Sequence, residues 1–326
     1  MIHSGNAVII TEGGFVLNTR IENIKGNLMV QVEKLYRNCN EKSFETRARY
    51  RDATERFCDY LAKNFGLQKF ANIKDKHLTA YVADMKQRGI APTTMQSDLS
   101  GIRFFHRLSG EKFVLPENKA FALDKRQIGK QDRAWSDQEI TNALRLADSM
   151  GRVDISLSVQ ISRQFGTRIE ETCKMRVWQV RKALESQELY VKGKGGQVRY
   201  IPVRTPEQRR LLGAIVRLTD AKKLCPNDYI ISDNIKGGVE KQIKRIQNWL
   251  SNHSRKFADE NRGKEPEKGK KPKADRITFH GLRHKYAQEL NRELKSHGDK
   301  NADSKTSEAL GHHRKEITKI YLNKTK

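Results

Sequence analysis

Apolar positions recur at helical spacing over most of the chain, in two blocks separated by a weakly patterned stretch. In the first block Tyr50, Ala53, Phe57, Tyr60 and Leu61 share one helical face, and Gly66 is placed to end that helix. A second helix follows Asp75, with Leu78, Tyr81, Val82 and Met85 inward and Gly89 then Pro92 behind it. A third starts near Thr94, where Met95, Leu99, Ile102 and Phe105 form the apolar stripe and Arg103 and Arg107 face outward. This predicts a small all-helical domain over 40–115. Residues 1–39 stand apart as an N-terminal segment, whose first 20 positions lack a clear period and are expected to be mobile.

Residues 116–133 read as an interdomain linker, and a second unit is expected over 134–326. It opens with Ser136-Asp-Gln-Glu139, a capping box, followed by a helix carrying Ile140, Ala143, Leu144 and Ala147. Helical sequence resumes from Ile155 to Gln164, and Gly166 marks a turn. Leu189 to Val203 holds two β-rich runs around a Gly-rich centre, a hairpin with a basic tip. Thr205-Pro-Glu-Gln208 starts another helix, and one more is expected over Lys241 to Ser254. Residues 255–276 form a basic insertion whose Lys, Glu, Gly and Pro predict a disordered or exposed loop. Thr278 is placed to cap the next helix, and a short helix around Ile317 to Leu322 closes the chain. The expected class is mainly α with a small β-hairpin or sheet, and there is no internal repeat.

Charge narrows the partner. Sixty-four Lys and Arg stand against 39 Asp and Glu, a formal net charge of +25, which calls for a polyanion such as nucleic acid. No helix pairs a basic face with a broad apolar one, so a membrane surface is not the expected partner. The insertion over 255–276 fits contact with a DNA backbone and plain solvation equally well. Cys39, Cys58, Cys173 and Cys225 are too widely spaced for a zinc site or a disulfide framework. The start lacks a signal-peptide pattern, so a bacterial-type cytoplasm with association to the nucleoid is expected.

Five short segments of the second unit carry candidate chemistry: Gly166-Thr-Arg-Ile-Glu-Glu171, Gly193-Lys-Gly195, Thr278-Phe-His-Gly-Leu-Arg-His284, Leu310-Gly-His312 and Ile320-Tyr-Leu322. Singly they are ordinary. A tyrosine near a C-terminus usually packs, an arginine at a helix start is usually solvated, and Lys-Gly-Lys-Gly is commonly a charged turn. Together they offer what phosphodiester transfer needs, namely a nucleophile, cations for the extra charge of the transition state, and a proton for the leaving oxygen. Arg168 and Arg283 supply planar forks of donors that one lysine cannot reproduce. No phosphate-binding Gly-rich loop with Lys and Ser/Thr is present, nor a carboxylate cluster for two metals, so no cofactor and no metal are expected.

In order, spacing and context these segments resemble the catalytic domain of the tyrosine recombinase (phage integrase) family, over about 135–322. The helical unit before it resembles the family's core-binding domain by layout. The resemblance implies a two-domain clamp around duplex DNA, with Tyr321 as nucleophile and Arg168 and Arg283 on the phosphate. It makes Lys194 the general acid, His280 the group that takes the Tyr321 proton, and His312 a hydrogen-bond donor to the phosphate. Glu171 either orients a histidine or balances an arginine, while His284 and His313 count as neighbours rather than actors. Lys192, Arg199, Arg103 and Arg107 are placed as DNA contacts. The implied assembly is a homo-tetramer on two double-stranded attachment sites, with accessory DNA-bending proteins. Family members often dock a tail on a neighbouring protomer; here only Asn323-Lys-Thr-Lys326 follow Leu322, so coupling between protomers is expected to differ. The expected role is a mobile-element integrase cutting through a 3′-phosphotyrosine. The rivals are a chromosome or plasmid dimer resolvase, a type IB topoisomerase and a non-catalytic DNA-binding regulator.

Overall fold

Ile24, Leu28 and Val32 fall four residues apart and are all buried, so the segment before residue 40 is a helix with one apolar stripe. It belongs to the first of two units into which the computed structural model divides, Met1–Arg126 and Gln127–Lys326. The structure describes residues 12–124, 131–260, 262, 264, 274–311, 318 and 320–322, with the side chains of 12–18 and of Lys194 outside that description.

The first unit comprises α1 (Glu12–Asn38), α2 (Phe44–Phe65), α3 (Asp75–Gln87) and α4 (Pro92–Leu108). Setting residues 1–39 apart is corrected from residue 12 onward, because α1 shares one core with the three predicted helices. Ser43 caps α2 by accepting from the Thr46 amide, and Gly66 ends it at φ 59°, a left-handed conformation glycine adopts without strain. The stripes read from sequence are buried: Phe57 and Leu61, Leu78 and Met85, Leu99 and Phe105. Gly101 lets α4 approach α2, since a Cβ there would lie 2.9 Å from the Tyr50 Cα.

Arg103 does not face outward as expected. Its guanidinium donates to the Pro116 carbonyl at 2.9 Å and to Asn118 Oδ1 at 2.5 Å, while Leu115 and Phe121 are buried in the same core. The stretch read as a linker from 116 is thus packed on the first unit at least as far as Phe121. At its other end Asp132, Ala134 and Trp135 pack on the second unit.

The second unit runs α5 (Asp137–Ser149), α6 (Val153–Phe165), α7 (Ile169–Cys173), α8 (Val177–Ser186), β1 (Glu188–Lys192), β2 (Val198–Pro202), α9 (Pro206–Ala221), α10 (Gly238–Phe257), α11 (His280–Ser296) and α12 (Ala302–Ala309). Ser136 and Glu139 form the predicted capping box, and Thr205 caps α9 with Pro206 in its first turn. β1 and β2 pair antiparallel from Glu188 with Pro202 to Lys192 with Val198. Thr278 does not cap α11 with its side chain. Its carbonyl instead accepts from the Trp135 indole at 2.9 Å and the Gly281 amide at 2.9 Å, so α11 is seated by its backbone.

The insertion expected to be loose is held at its neck. Arg262 ion-pairs with the buried Glu139, donates to the Ala274 carbonyl at 2.6 Å, and the Ala274 amide returns to the Asp132 carbonyl at 2.9 Å. Residues 263 and 265–273 lie outside the described residues.

Candidate active site

Glu171 is the hub of the site. It lies in α7, whose first carboxylate turn folds back on Arg168, and its side chain is 3% exposed. Its two oxygens accept from the Arg168 amide at 2.8 Å, the Arg168 guanidinium at 2.8 Å, and the two Arg199 terminal nitrogens at 2.9 and 2.7 Å. Arg283 approaches the same carboxylate at 3.9 Å. Burial alone would raise the pKa of Glu171, but the Arg199 fork, with Arg168 and Arg283, outweighs it and holds the carboxyl at about 2. Of the two roles left open by the sequence, Glu171 takes that of balancing arginines. One carboxylate against three guanidinium groups leaves the cluster strongly cationic, a place made for an anion.

Arg283 occupies the start of α11, one turn after His280. Its side chain has no exposed surface and donates to the Gly166 carbonyl at 2.5 Å and to the Leu310 carbonyl. Burial first, then the fields of Arg168 and Arg199, push its pKa down to about 10. Gly166 suits this place on two counts. Its φ is 61°, and a Cβ would sit 2.3 Å from the Tyr286 ring.

Tyr321 reaches the same face of α11. Its ring is nearly buried, its hydroxyl lies 2.7 Å from His280 Nε2, and the Arg283 guanidinium is 5.9 Å from its ring centroid. His284, one turn beyond His280, stacks on the Tyr321 ring at 4.3 Å and 21°. Burial, then Arg283, Arg168 and Arg133, push the His280 pKa down to about 4. His280 keeps exposed surface, so water offsets part of the burial and the cationic field of the arginines acts on it directly. His284 is driven to about 3, by burial first and then by His280 and Arg133.

The structure brings Arg168, Glu171, His280, Arg283 and Tyr321 into one cluster. The hairpin adjoins it, for Gly193 passes so close to Glu171 that a Cβ would lie 3.0 Å from the carboxylate oxygen. Lys194 opens the following turn, Lys194–Gly196, in which Gly195 and Gly196 take φ of 74° and 78°. His312 lies outside the described residues. Lys192, at the end of β1, is exposed.

Arg199, expected as a DNA contact, is turned inward. Its fork is spent on Glu171, its Nε donates to the Ala309 carbonyl at 3.1 Å, and its side chain is 10% exposed, so it braces the hairpin against the cluster. The signal was legible: Arg199 shares the face of β2 with the buried Ile201, and a charge on an inward face needs an internal partner. In the first unit Arg107 is half exposed and paired with Glu41 at 2.6 Å.

A mainly helical unit with one hairpin, converging on a tyrosine and a group of arginines, is the architecture of a tyrosine recombinase. Residues 136–326 match the family model described as phage integrase family, and residues 26–114 match phage integrase, N-terminal. The chain belongs to the phage integrase family of tyrosine recombinases. Among curated proteins it is similar to tyrosine recombinase XerC of Lacticaseibacillus casei (strain BL23), 24% identical over 176 residues, which are 53% of this chain and 56% of that protein. The match thus spans little more than half the length of that relative. Among solved structures it resembles a lambda integrase dimer bound to a COC' core site, with TM-score 0.60, 16% identity, and 90% of this chain and 95% of the other covered. It also resembles XerH site-specific recombinase bound to palindromic difH substrate, with TM-score 0.57, 18% identity, and 98% and 87% covered. At these identities the likeness is one of fold.

Proposed function

We propose that this protein is a site-specific DNA recombinase that cuts and rejoins strands through a 3′-phosphotyrosine on Tyr321. The observation that carries the reading is the Tyr321 hydroxyl on His280 Nε2 at 2.7 Å, beside three arginines that share one carboxylate. In the cleavage step the Tyr321 oxygen bonds to phosphorus as the bond to the 5′-oxygen breaks. The phenolic proton passes to His280 and the leaving oxygen takes one from Lys194. Arg168 and Arg283 hold the non-bridging oxygens, with His312 donating a further hydrogen bond. Rejoining is the same step reversed by a 5′-hydroxyl, so neither ATP nor metal enters it.

The cationic field explains how DNA prepares its own cleavage. Without a phosphate the arginines keep His280 a weak base; an incoming phosphodiester cancels part of that field and raises its basicity beside the phenol. Arg283 has no accessible surface in this structure, so its contact with a phosphate calls for a shift of the residues packed on it.

The partner is double-stranded DNA, bound at attachment sites by four protomers, in keeping with the lambda integrase tetramer bound to a Holliday junction, which this fold resembles at TM-score 0.57. Integration of a mobile element is the role assigned, with accessory DNA-bending proteins; resolution of chromosome or plasmid dimers uses the same residues. Incubation with nicked suicide DNA carrying candidate sites is expected to give a denaturant-stable adduct with the wild type and none with Tyr321→Phe. An adduct that survives that substitution puts the nucleophile elsewhere. Relaxation of supercoils lacking any such site, by the protein as a monomer, would instead mark a topoisomerase.

A further inference from the structure

His284 takes no part in the proton transfers proposed for Tyr321, yet its ring is the one laid flat on that phenol. His280 and His284 stand four residues apart on α11, so both imidazoles leave the same face. They hold Tyr321 from two directions. His280 meets it edge-on, with centroids 5.3 Å apart and planes at 62°, and takes its hydroxyl at 2.7 Å. His284 lies against the ring face at 4.3 Å and 21°, and meets His280 edge-on at 5.3 Å.

His284 is 2% exposed, and its Nδ1 has no hydrogen-bond partner among the described residues. An unpaired buried nitrogen costs stability rather than adding it. Hydrogen bonding through that atom is therefore not what places the residue here. A positive charge is not either, because burial, then His280 and Arg133, push its pKa down to about 3 and leave the ring neutral at ordinary pH. What the residue offers Tyr321 is a flat, rigid face. A phenol tied only by its oxygen can swing about that bond, whereas one tied by oxygen and ring plane is fixed in direction, which in-line attack on phosphorus demands.

We propose that His284 is a positioning residue that stacks on Tyr321 and keeps its hydroxyl aimed from His280 into the arginine cluster. The inference rests on Tyr321 being the nucleophile. It gives α11 a third duty beside His280 and Arg283: one helix supplies the proton acceptor, a phosphate ligand and the backing plate for the attacking ring.

The test uses the full-length chain with the nicked suicide DNA at saturating concentration, following adduct formation in a single turnover. His284→Ala removes the plate and is expected to slow the covalent step by about 10- to 100-fold, the loss that a misplacement near 1 Å brings. Affinity for the same DNA and the melting temperature report separately on folding and binding, and the rate is taken per folded, bound molecule. His284→Phe keeps a flat ring and is expected to recover most of the rate, with the acid limb of the pH profile unmoved because His280 sets it. An alanine variant that cuts as fast as the wild type, or faster, overturns the proposal; the faster outcome would make the stack a parking place. A phenylalanine variant as slow as alanine overturns it too.

Failure of the wild type to form any adduct at Tyr321 would sink the nucleophile rather than the stack. The stack is then read in the carbon-13 ring signals of labelled tyrosine, with Tyr321 assigned by Tyr321→Phe. A Tyr321 signal that does not move in His284→Ala overturns it.

Discussion

Glu171 carries more of the site's stability than its size suggests, since three arginines face it and only 3% of its side chain is exposed. Its folded pKa of about 2 lies below the ordinary 4.5, so the folded state resists protonation. The resulting stability is fully present above about pH 4.5 and is lost as pH falls toward 2, on the order of 3 kcal/mol in all. Glu171→Gln should abolish most of that acid dependence in urea melts, and should destabilise the second unit at neutral pH by a similar amount by stranding buried cations. His280 adds to the acid loss in a higher window: its pKa is depressed from 6.5 to about 4, so its share is present above 6.5 and fades as pH falls to 4. On binding of a phosphodiester duplex, the His280 ring signal in NMR should titrate at higher pH than in the free protein. A downward move would contradict the field argument. The two arginines should separate cleanly. Arg168→Ala, at a partly exposed position, is expected to slow cleavage by about 10²- to 10³-fold with little change in melting temperature. Arg283→Ala should show the same kinetic loss and also lose on the order of 3 kcal/mol of stability, because the Gly166 and Leu310 carbonyls are left without their donor.

At the scale of elements, α11 and the hairpin decide where the chemistry sits. Gly281 lets α11 press against Trp135, as a Cβ there would lie 2.4 Å from the Arg133 carbonyl oxygen. This contact fixes the helix start, and with it His280, Arg283 and His284. Much of this was legible. The periodic stripes gave α2, α3 and α4, the capping boxes gave the starts of α5 and α9, and the alternation around Lys-Gly-Lys-Gly gave the β1–β2 pair. Ordered motifs gave the residues that converge around Glu171. What was not legible follows from partners distant in sequence. Arg103 finds Pro116 and His284 finds Tyr321; each looks free until the chain folds. The helix α1 was hidden for a different reason, since apolar residues such as the exposed Val30 lie between Leu28 and Val32 and blur the contrast of the stripe. Leu28→Ala is expected to destabilise the first unit by about 2–5 kcal/mol, which differential scanning calorimetry can read.

Across the whole molecule, the excess of positive charge bears on how the proposed DNA partner would be held. With a formal net charge of +25, affinity for duplex DNA should fall steeply and linearly on a log–log plot against salt. Lys192→Ala, at an exposed position beside the hairpin turn, should flatten that slope by about one unit if it meets a phosphate. Arg199→Ala should instead act through stability and cleavage rate, with the slope unmoved. The closure of Arg262 on Glu139 and Ala274 has its own consequence. Arg262 and Ala274 are tied to each other and to the second unit at one place, so both ends of the intervening stretch are anchored there. Exchange of residues 265–273 for a tract of another length or sequence is therefore expected to leave the melting temperature of the second unit unchanged.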